Sequence, residues 1–207
     1  MARLPLGAKL TIGEASMSAN ETVPRLGDWI ETFRGEQFWP IDPRPEDVHI
    51  VDIAHALSHQ CRYSGHCHTF YSVAEHSVRV SRIVAPEHAL WGLLHDAAEA
   101  YLVDLPRPLK KLPGFAAYRE AEARVMRCVC DHFGLSPEQP KDVSDADFVM
   151  LATEARDLMT QKYPWNTMPA PLFESIVPWD SLRAKKNFLR RFDELIGEQR
   201  EVRDAQG

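Results

Sequence analysis

Residues 89–102, ALWGLLHDAAEAYL, decide the fold, because this stretch is apolar nearly all round apart from one histidine and two acidic residues. A helix that is hydrophobic on every side belongs in the middle of a core. His95, Asp96 and Glu99 are the exceptions, and a carboxylate in an apolar interior is costly unless it is paired or coordinates a cation. The stretch therefore predicts a central helix whose polar residues serve a site.

The sequence on both sides of this stretch repeats apolar side chains at helical spacing, which predicts further amphipathic helices. The predicted helices cover roughly residues 45–59, 71–82, 86–102, 115–133, 144–159 and 181–197. Aromatic and β-branched residues flank Arg34 and Gly35, a pattern typical of a short β-hairpin. The predicted fold is an all-α helical bundle with one short N-terminal β-hairpin.

Composition bounds the class of protein. Hydrophobic residues make up 44% and charged residues 26% of the 207 residues, as in ordinary globular proteins. No segment approaches the roughly 20 apolar residues that span a bilayer, so we expect no membrane insertion. Proteins that bind polymeric nucleic acid usually carry a basic surface, whereas this chain has a net charge of −6, so we expect no such partner.

The chain divides into a leader and one domain. Residues 1–22 mix Gly, Ser, Ala and Asn with little periodicity, which predicts a flexible N-terminal arm. Residues 23–200 then predict a single helical domain, long enough to bury its own core. The N-terminus lacks the unbroken apolar stretch of a signal peptide, and the four cysteines form no CxxC element. These features favour a cytoplasmic location.

The adjacent His95 and Asp96 are candidate metal ligands, because neighbouring helical residues converge on an ion that sits beside the groove between them. The remaining ligands must come from other helices. The candidates are His76 in SVAEHSV and Asp147 in SDADFVML, each the polar residue of an otherwise apolar face, with Asp145 as a rival to Asp147. The candidate ligand set therefore consists of two imidazoles and two carboxylates.

A second, weaker metal hypothesis concerns the loop before His76. It contains two cysteines and two histidines that suggest zinc: Cys61, His66, Cys67 and His68. The cluster lacks a second ligand pair at zinc-finger spacing, so structural or incidental thiols are the favoured interpretation.

The order H…HD…D resembles that of the HD-domain metal-dependent phosphohydrolases, over residues from about Asp28 to Met159. HDAAEAYLVDLPRPLKK is similar to the segment of their 5′-deoxynucleotidase-like branch in which HDxxE precedes a DLPxPxK loop, and SVAEHS resembles the first-histidine helix of that branch. The family's usual Ala-Asp pair favours Asp147 over Asp145. The resemblance implies an HD-type helical bundle with the four ligands named above.

The same resemblance implies roles for residues around the metal. It gives Glu99 and Asp104 catalytic roles near the attacking water and makes Arg62 the phosphate-binding residue. Lys110 is a further candidate for contact with a phosphate tail. Mixed imidazole and carboxylate ligation suits one divalent ion, Mn²⁺, Co²⁺, Fe²⁺ or Zn²⁺. The implied partners are a small nucleotide substrate and, by analogy with family members, a second copy in a homodimer.

The implied activity is phosphomonoester hydrolysis of deoxynucleoside 5′-monophosphates. A deoxynucleoside triphosphate triphosphohydrolase is an alternative, because a triphosphate could be bound by the basic residues Arg107, Lys110 and Lys111. A non-catalytic nucleotide sensor is a third alternative. Two other branches fit less well. The cyclic-dinucleotide phosphodiesterases carry HDxGK where this chain has HDAAE, and the alarmone hydrolases have Asp where Ala100 stands.

Overall fold

The computed structural model describes residues 24–163, 165 and 167–206, so the predicted arm of residues 1–22 lies outside it. The fold is all-α with one two-stranded hairpin, as predicted. The helices are α1 (Ile50–His59), α2 (Val73–Ile83), α3 (Ala89–Leu94), α4 (Glu99–Leu102), α5 (Arg107–Lys110), α6 (Ala116–Phe133), α7 (Lys141–Leu158) and α8 (Ser181–Gln206). Within the described part of the chain, no helix is both long and apolar enough to cross a membrane.

The hairpin precedes the helices. Strand β1 (Ile30–Glu31) pairs antiparallel with β2 (Gln37–Phe38), and Ile30 lies opposite Phe38. Gly35 adopts a left-handed φ of 79° in the connecting turn, a conformation that costs glycine little. Phe38 is fully buried and stacks on Tyr101 of α4 with ring centroids 3.8 Å apart. Phe33 in the turn also stacks on His55 of α1, so aromatic contacts at two points anchor the hairpin to the helices.

Helix α2 lies at the centre and packs against α1, α3, α7 and α8. Eight of its eleven residues are buried: Val73, Ala74, Glu75, His76, Ser77, Val78, Val80 and Ser81. The side chain of Ser72 caps its N-terminus by accepting a hydrogen bond from the backbone N–H of Glu75 at 3.1 Å. Because the helix is enclosed, the polar side chains of Glu75 and His76 must find partners inside the protein.

The predicted central helix of residues 86–102 is interrupted, which corrects the expectation of one continuous element. Residues 86–88 form a 3₁₀ turn, and α3 and α4 are separated at HDAA. His95 and Ala98 keep right-handed helical angles. The backbone here forms tighter i→i+3 hydrogen bonds, from Ala97 N to Leu94 O and from Glu99 N to Asp96 O. The interruption coincides with the predicted metal ligands, and tightened turns of this kind are frequent at functional sites.

Helices α2 and α3 approach each other closely at Gly92. A Cβ atom at this position would lie 3.1 Å from Ser81 Cα and 3.2 Å from Val84 Cγ2. Ser81 Cα is backbone and cannot rotate away. The contact thus requires glycine for space and brings His95 of the following turn towards α2.

We expect Gly92→Ala to destabilise the protein by about 1–3 kcal/mol, because overpacking forces the two helices apart. Urea unfolding followed by circular dichroism measures the change. Gly197→Ala in α8 is the matched control, since its added Cβ meets no atom within 4 Å. Helix propensity alone should make that control more stable by roughly 1 kcal/mol. Equal stability of the two variants would contradict the close-packing argument.

Candidate metal centre

Two imidazoles from different helices face each other at the centre of the molecule. His76 of α2 is fully buried, and its Nε2 lies 3.3 Å from Nε2 of His95, in the tightened turn after α3. His95 Nδ1 lies 2.9 Å from the backbone oxygen of Gly92, so that nitrogen carries the proton and donates. Nε2 of His95 therefore presents a lone pair towards His76 when the ring is neutral.

Asp96 completes a three-residue cluster around these nitrogens. Its Oδ2 lies 3.2 Å from His95 Nε2 and 3.8 Å from His76 Nε2. One ligand atom from each of His76, His95 and Asp96 lies within 4.8 Å of the others, and no other such group occurs among the residues described. Two nitrogens each about 2.1 Å from one tetrahedral ion would be about 3.4 Å apart, which agrees with the observed 3.3 Å. This cluster can hold a metal ion.

Asp147 lies at the solvent edge of the cluster. Its Oδ1 is 3.1 Å from His76 Nε2, and 44% of its side chain is exposed. The rival Asp145 instead forms an ion pair with Lys141, one turn earlier in α7, at 2.6 Å. The structure thus brings Asp147, and not Asp145, to the histidines.

Charge within the cluster shifts the pKa values of its members. Burial opposes ionisation of Asp96, but His95, His76 and Arg62 outweigh it and hold the pKa of Asp96 well below its usual range. For His76, burial and Arg62 act to lower the pKa, while Glu154 and Asp147 raise it to about 9. The two carboxylates therefore favour the protonated form of His76. A metal ligand must be deprotonated, so metal binding would release this proton.

Glu154 is a residue of the site that sequence analysis missed. It is fully buried in α7, and its Oε1 accepts a hydrogen bond from His76 Nδ1 at 2.6 Å. Its Oε2 accepts from Arg62 Nε at 3.0 Å and from the Tyr63 hydroxyl. Burial opposes ionisation, yet Arg62 and His76 lower the pKa of Glu154 to about 2. The spacing of seven residues from Asp147, two turns on the same helical face, is the signal that could have found it.

Arg62 lies between two carboxylates, beside the metal cluster. Its Nη1 is 3.6 Å from Asp96 Oδ2, while its Nε binds Glu154. The loop that carries it is unusual, because Tyr63 and Ser64 adopt left-handed φ values of 56° and 53°. Such angles are uncommon outside glycine and cluster at functional sites. The predicted phosphate-binding residue therefore reaches the predicted metal ligands from a constrained loop.

The two predicted catalytic carboxyl groups have different surroundings. Glu99 is 92% buried in α4; burial, followed by the charges of Asp96 and Asp104, raises its pKa well above the usual range. Asp104 is half-exposed and pairs with Lys110 Nζ at 2.9 Å. The turn between them begins at Val103, whose φ of 62° is rare for a β-branched residue. Glu99 thus lies in a buried, acidic environment, whereas Asp104 forms an ion pair near the surface, and a catalytic role for either residue stays a prediction.

Lys110, the second predicted substrate-binding residue, already has partners. Its Nζ lies 2.9 Å from Asp104 and 2.7 Å from Glu122 of α6. These two carboxylates raise the pKa of Lys110 above its usual range against the effect of burial. The ion pairs tie the proline-rich loop to α6. Substrate contact by Lys110 stays a prediction, and it would require Lys110 to leave at least part of this arrangement.

The alternative zinc cluster does not assemble among the described residues. Cys67 Sγ instead donates to the backbone oxygen of Arg62 at 3.3 Å, and burial raises the pKa of Cys67 to about 11. A thiol with a raised pKa is a poor metal ligand, because the thiolate is the binding form.

We expect Asp147→Asn to weaken Co²⁺ binding by at least about 10-fold, the loss that removal of even an outer-shell partner produces. Titration of the metal-free protein, followed by the visible spectrum of bound Co²⁺, measures the affinity. Asp145→Asn is the matched control and should bind Co²⁺ like the unmodified chain. A greater loss in the control would reverse the assignment of the fourth ligand.

Comparison with known proteins gives relatives but no described activity. No family model matches the chain. It is 38% identical over 171 residues to the uncharacterized protein YfdR of Escherichia coli strain K12, a match that covers 81% of this chain and 95% of YfdR. It is also 34% identical over 143 residues to an uncharacterized protein of Rhodobacter capsulatus, covering 63% of this chain and 72% of that protein. The chain therefore belongs to the same protein family as YfdR.

Proposed function

We propose that the protein is a divalent-metal-dependent phosphohydrolase of the HD-domain type that acts on deoxynucleoside 5′-monophosphates. The observation that carries this proposal is the cluster of His76, His95 and Asp96 with the guanidinium of Arg62 at its side, 3.6 Å from Asp96. A cation site next to a fixed arginine suits a phosphate group, which needs positive charge from both. The resemblance of HDAAE and DLPRPLK to the 5′-deoxynucleotidase-like branch gives the same reaction.

The donor set favours a transition metal. His76 and His95 supply imidazole nitrogens, and Asp96 and Asp147 supply carboxylate oxygens, a mixture suited to Mn²⁺, Fe²⁺, Co²⁺ or Zn²⁺. Four protein ligands leave room for further ligands. A bound ion supplies a Lewis acid that lowers the pKa of a coordinated water and withdraws charge from phosphorus.

The protein's own residues bind the phosphate and move the proton. Arg62 keeps its Nε on Glu154 and its Nη1 beside Asp96, so its guanidinium can donate two parallel hydrogen bonds to phosphoryl oxygens. Burial, followed by the charges of Asp96 and Asp104, raises the pKa of Glu99 and favours its protonated form, which can deliver a proton to a leaving alkoxide. Between the two carboxyl groups, the burial of Glu99 favours it over Asp104 for this role.

The charges near the site support one phosphate over three. Of the three basic residues in and directly after α5, Lys110 is occupied by Asp104 and Glu122. Less positive charge then remains for a triphosphate tail, which favours the monophosphate. A cytoplasmic location and a homodimeric assembly complete the proposal by analogy with the family that the sequence resembles.

Assay of the purified protein with Mn²⁺ or Co²⁺ tests the activity. We expect inorganic phosphate from deoxynucleoside 5′-monophosphates, no turnover after chelation, and recovery when the metal is restored. Asp96→Asn should abolish turnover because it removes a predicted ligand, while Asp145→Asn should retain it.

The product decides between the alternatives. Release of inorganic triphosphate from deoxynucleoside triphosphates would replace the monophosphatase with a triphosphohydrolase. Bound metal without turnover on any deoxy- or ribonucleotide would favour the sensor.

Arg62→Lys tests the phosphate-binding role separately from the metal. We expect kcat/KM to fall about 10- to 100-fold although the charge is kept, because lysine lacks the fork that makes paired hydrogen bonds. Steady-state kinetics with one deoxynucleoside monophosphate measures this change, and Arg34→Lys on the exposed hairpin turn is the control. Equal kinetics of the two variants would show that Arg62 does not contact phosphate.

A further inference from the structure

We infer that Glu154 is the positioning residue of the site: it fixes the ring of His76 for metal binding and, through the same carboxylate, fixes Arg62 for phosphate binding. The metal half of this inference rests on the cluster alone. The phosphate half rests on the proposed function.

The geometry assigns one acceptor oxygen to each task. Oε1 receives the hydrogen bond from His76 Nδ1 at 2.6 Å, and Oε2 receives those from Arg62 Nε at 3.0 Å and from the Tyr63 hydroxyl. Glu154 is fully buried, so no water competes for these oxygens. A buried carboxylate with three charge-assisted or hydroxyl donors is held in one position.

For His76 the consequence is the choice of ring nitrogen. Because Nδ1 carries the proton donated to Glu154, only Nε2 is left with a lone pair once the ring is neutral. Nε2 is the nitrogen that lies 3.3 Å from His95 Nε2 and 3.1 Å from Asp147 Oδ1. A carboxylate behind a ligating histidine also makes that ligand more basic. Glu154 thus points the metal-binding nitrogen of His76 into the cluster.

For Arg62 the consequence is the direction of the guanidinium. Its Nε is occupied by Glu154, and its terminal nitrogen Nη1 lies 3.6 Å from Asp96 Oδ2 in the cluster. The Tyr63 hydroxyl binds the same Oε2 and ties down the left-handed residues Tyr63 and Ser64. Rotation of Arg62 would therefore break contacts made by its own loop.

Sharing one carboxylate couples the two halves of the site. A movement of Glu154 that relaxes Arg62 also moves the acceptor of His76, so metal and phosphate affinities depend on each other. Glutamine cannot replace both functions, because its amide has one acceptor oxygen. If the amide oxygen faces His76, the amide NH₂ group faces Arg62, and two donors then meet. If the NH₂ group faces His76, Nδ1 of His76 must act as an acceptor and Nε2 takes the proton.

The test compares Glu154→Gln with Glu75→Gln. Glu75 is also a fully buried glutamate, but its carboxylate binds Arg79 and the backbone N–H of Trp179, away from the cluster. Zn²⁺ affinity is measured by competition with a chromophoric chelator, and affinity for inorganic phosphate is measured on the Zn²⁺-loaded protein. In Glu154→Gln we expect at least one of the two affinities to fall about 10- to 100-fold, and in Glu75→Gln neither. Affinities both within about twofold of the unmodified chain would overturn the inference.

Two further measurements make the test independent of folding and turnover. In the Zn²⁺-loaded unmodified protein, ¹⁵N NMR should show a protonated Nδ1 of His76 in a strong hydrogen bond, and an unprotonated Nδ1 would overturn the inference. If circular dichroism shows that Glu154→Gln does not fold, Glu154→Asp replaces it, because the shorter side chain keeps the charge but cannot reach both partners. Unchanged Zn²⁺ and phosphate affinities in Glu154→Asp would also overturn the inference. A chain that passes these tests but hydrolyses no nucleotide would refute the proposed function alone.

Discussion

The hydrogen bond between His76 and Glu154 is the interaction on which the rest of the site depends. Both side chains are fully buried, one on α2 and one on α7. A buried charge without a partner costs several kcal/mol, so each residue makes the other tolerable in the core. The bond also fixes the position of α7 against α2, and with it the side of α7 that faces the histidines. Asp147 reaches the cluster because it lies two turns from Glu154 on that face.

Because this bond uses Nδ1 of His76, the opposite ring nitrogen, Nε2, lies among other acceptor atoms. Nε2 of His76, Nε2 of His95 and Oδ2 of Asp96 lie together with few protein donors among them. Arg62 approaches Asp96, but its Nε is already bound to Glu154. In the metal-free protein a proton on His76 relieves part of the repulsion, as the raised pKa of that residue indicates. A divalent cation relieves it more completely, which is why the cluster suits a metal better than it suits hydrogen bonds alone.

Sequence patterns predicted the longer helices and the polar residues His95 and Asp96, but not the short helix α5 or the connections between the elements. Apolar periodicity gave the helices, and His95 and Asp96 stood out because their surroundings are apolar. Glu154 escaped notice because one glutamate in an amphipathic helix is usually solvated; only the packing of α7 on α2 buries it. The break at HDAA and the left-handed Tyr63 are likewise tertiary effects, since local propensity favours a continuous helix and an ordinary φ. The role of Arg62 came from the family resemblance alone.

The placement of charges separates the surroundings of Arg62 from those of Lys110. Asp104, Lys110 and Glu122 form a separate group that holds the proline-rich loop against α6, so the lysine is balanced away from the cluster. Arg62 is paired with Glu154 at its Nε, and its Nη1 lies near Asp96. A metal ion shared by Asp96 would draw that carboxylate's charge away from Arg62. Metal binding would then free the guanidinium for an anion, so metal and phosphate would each strengthen the binding of the other.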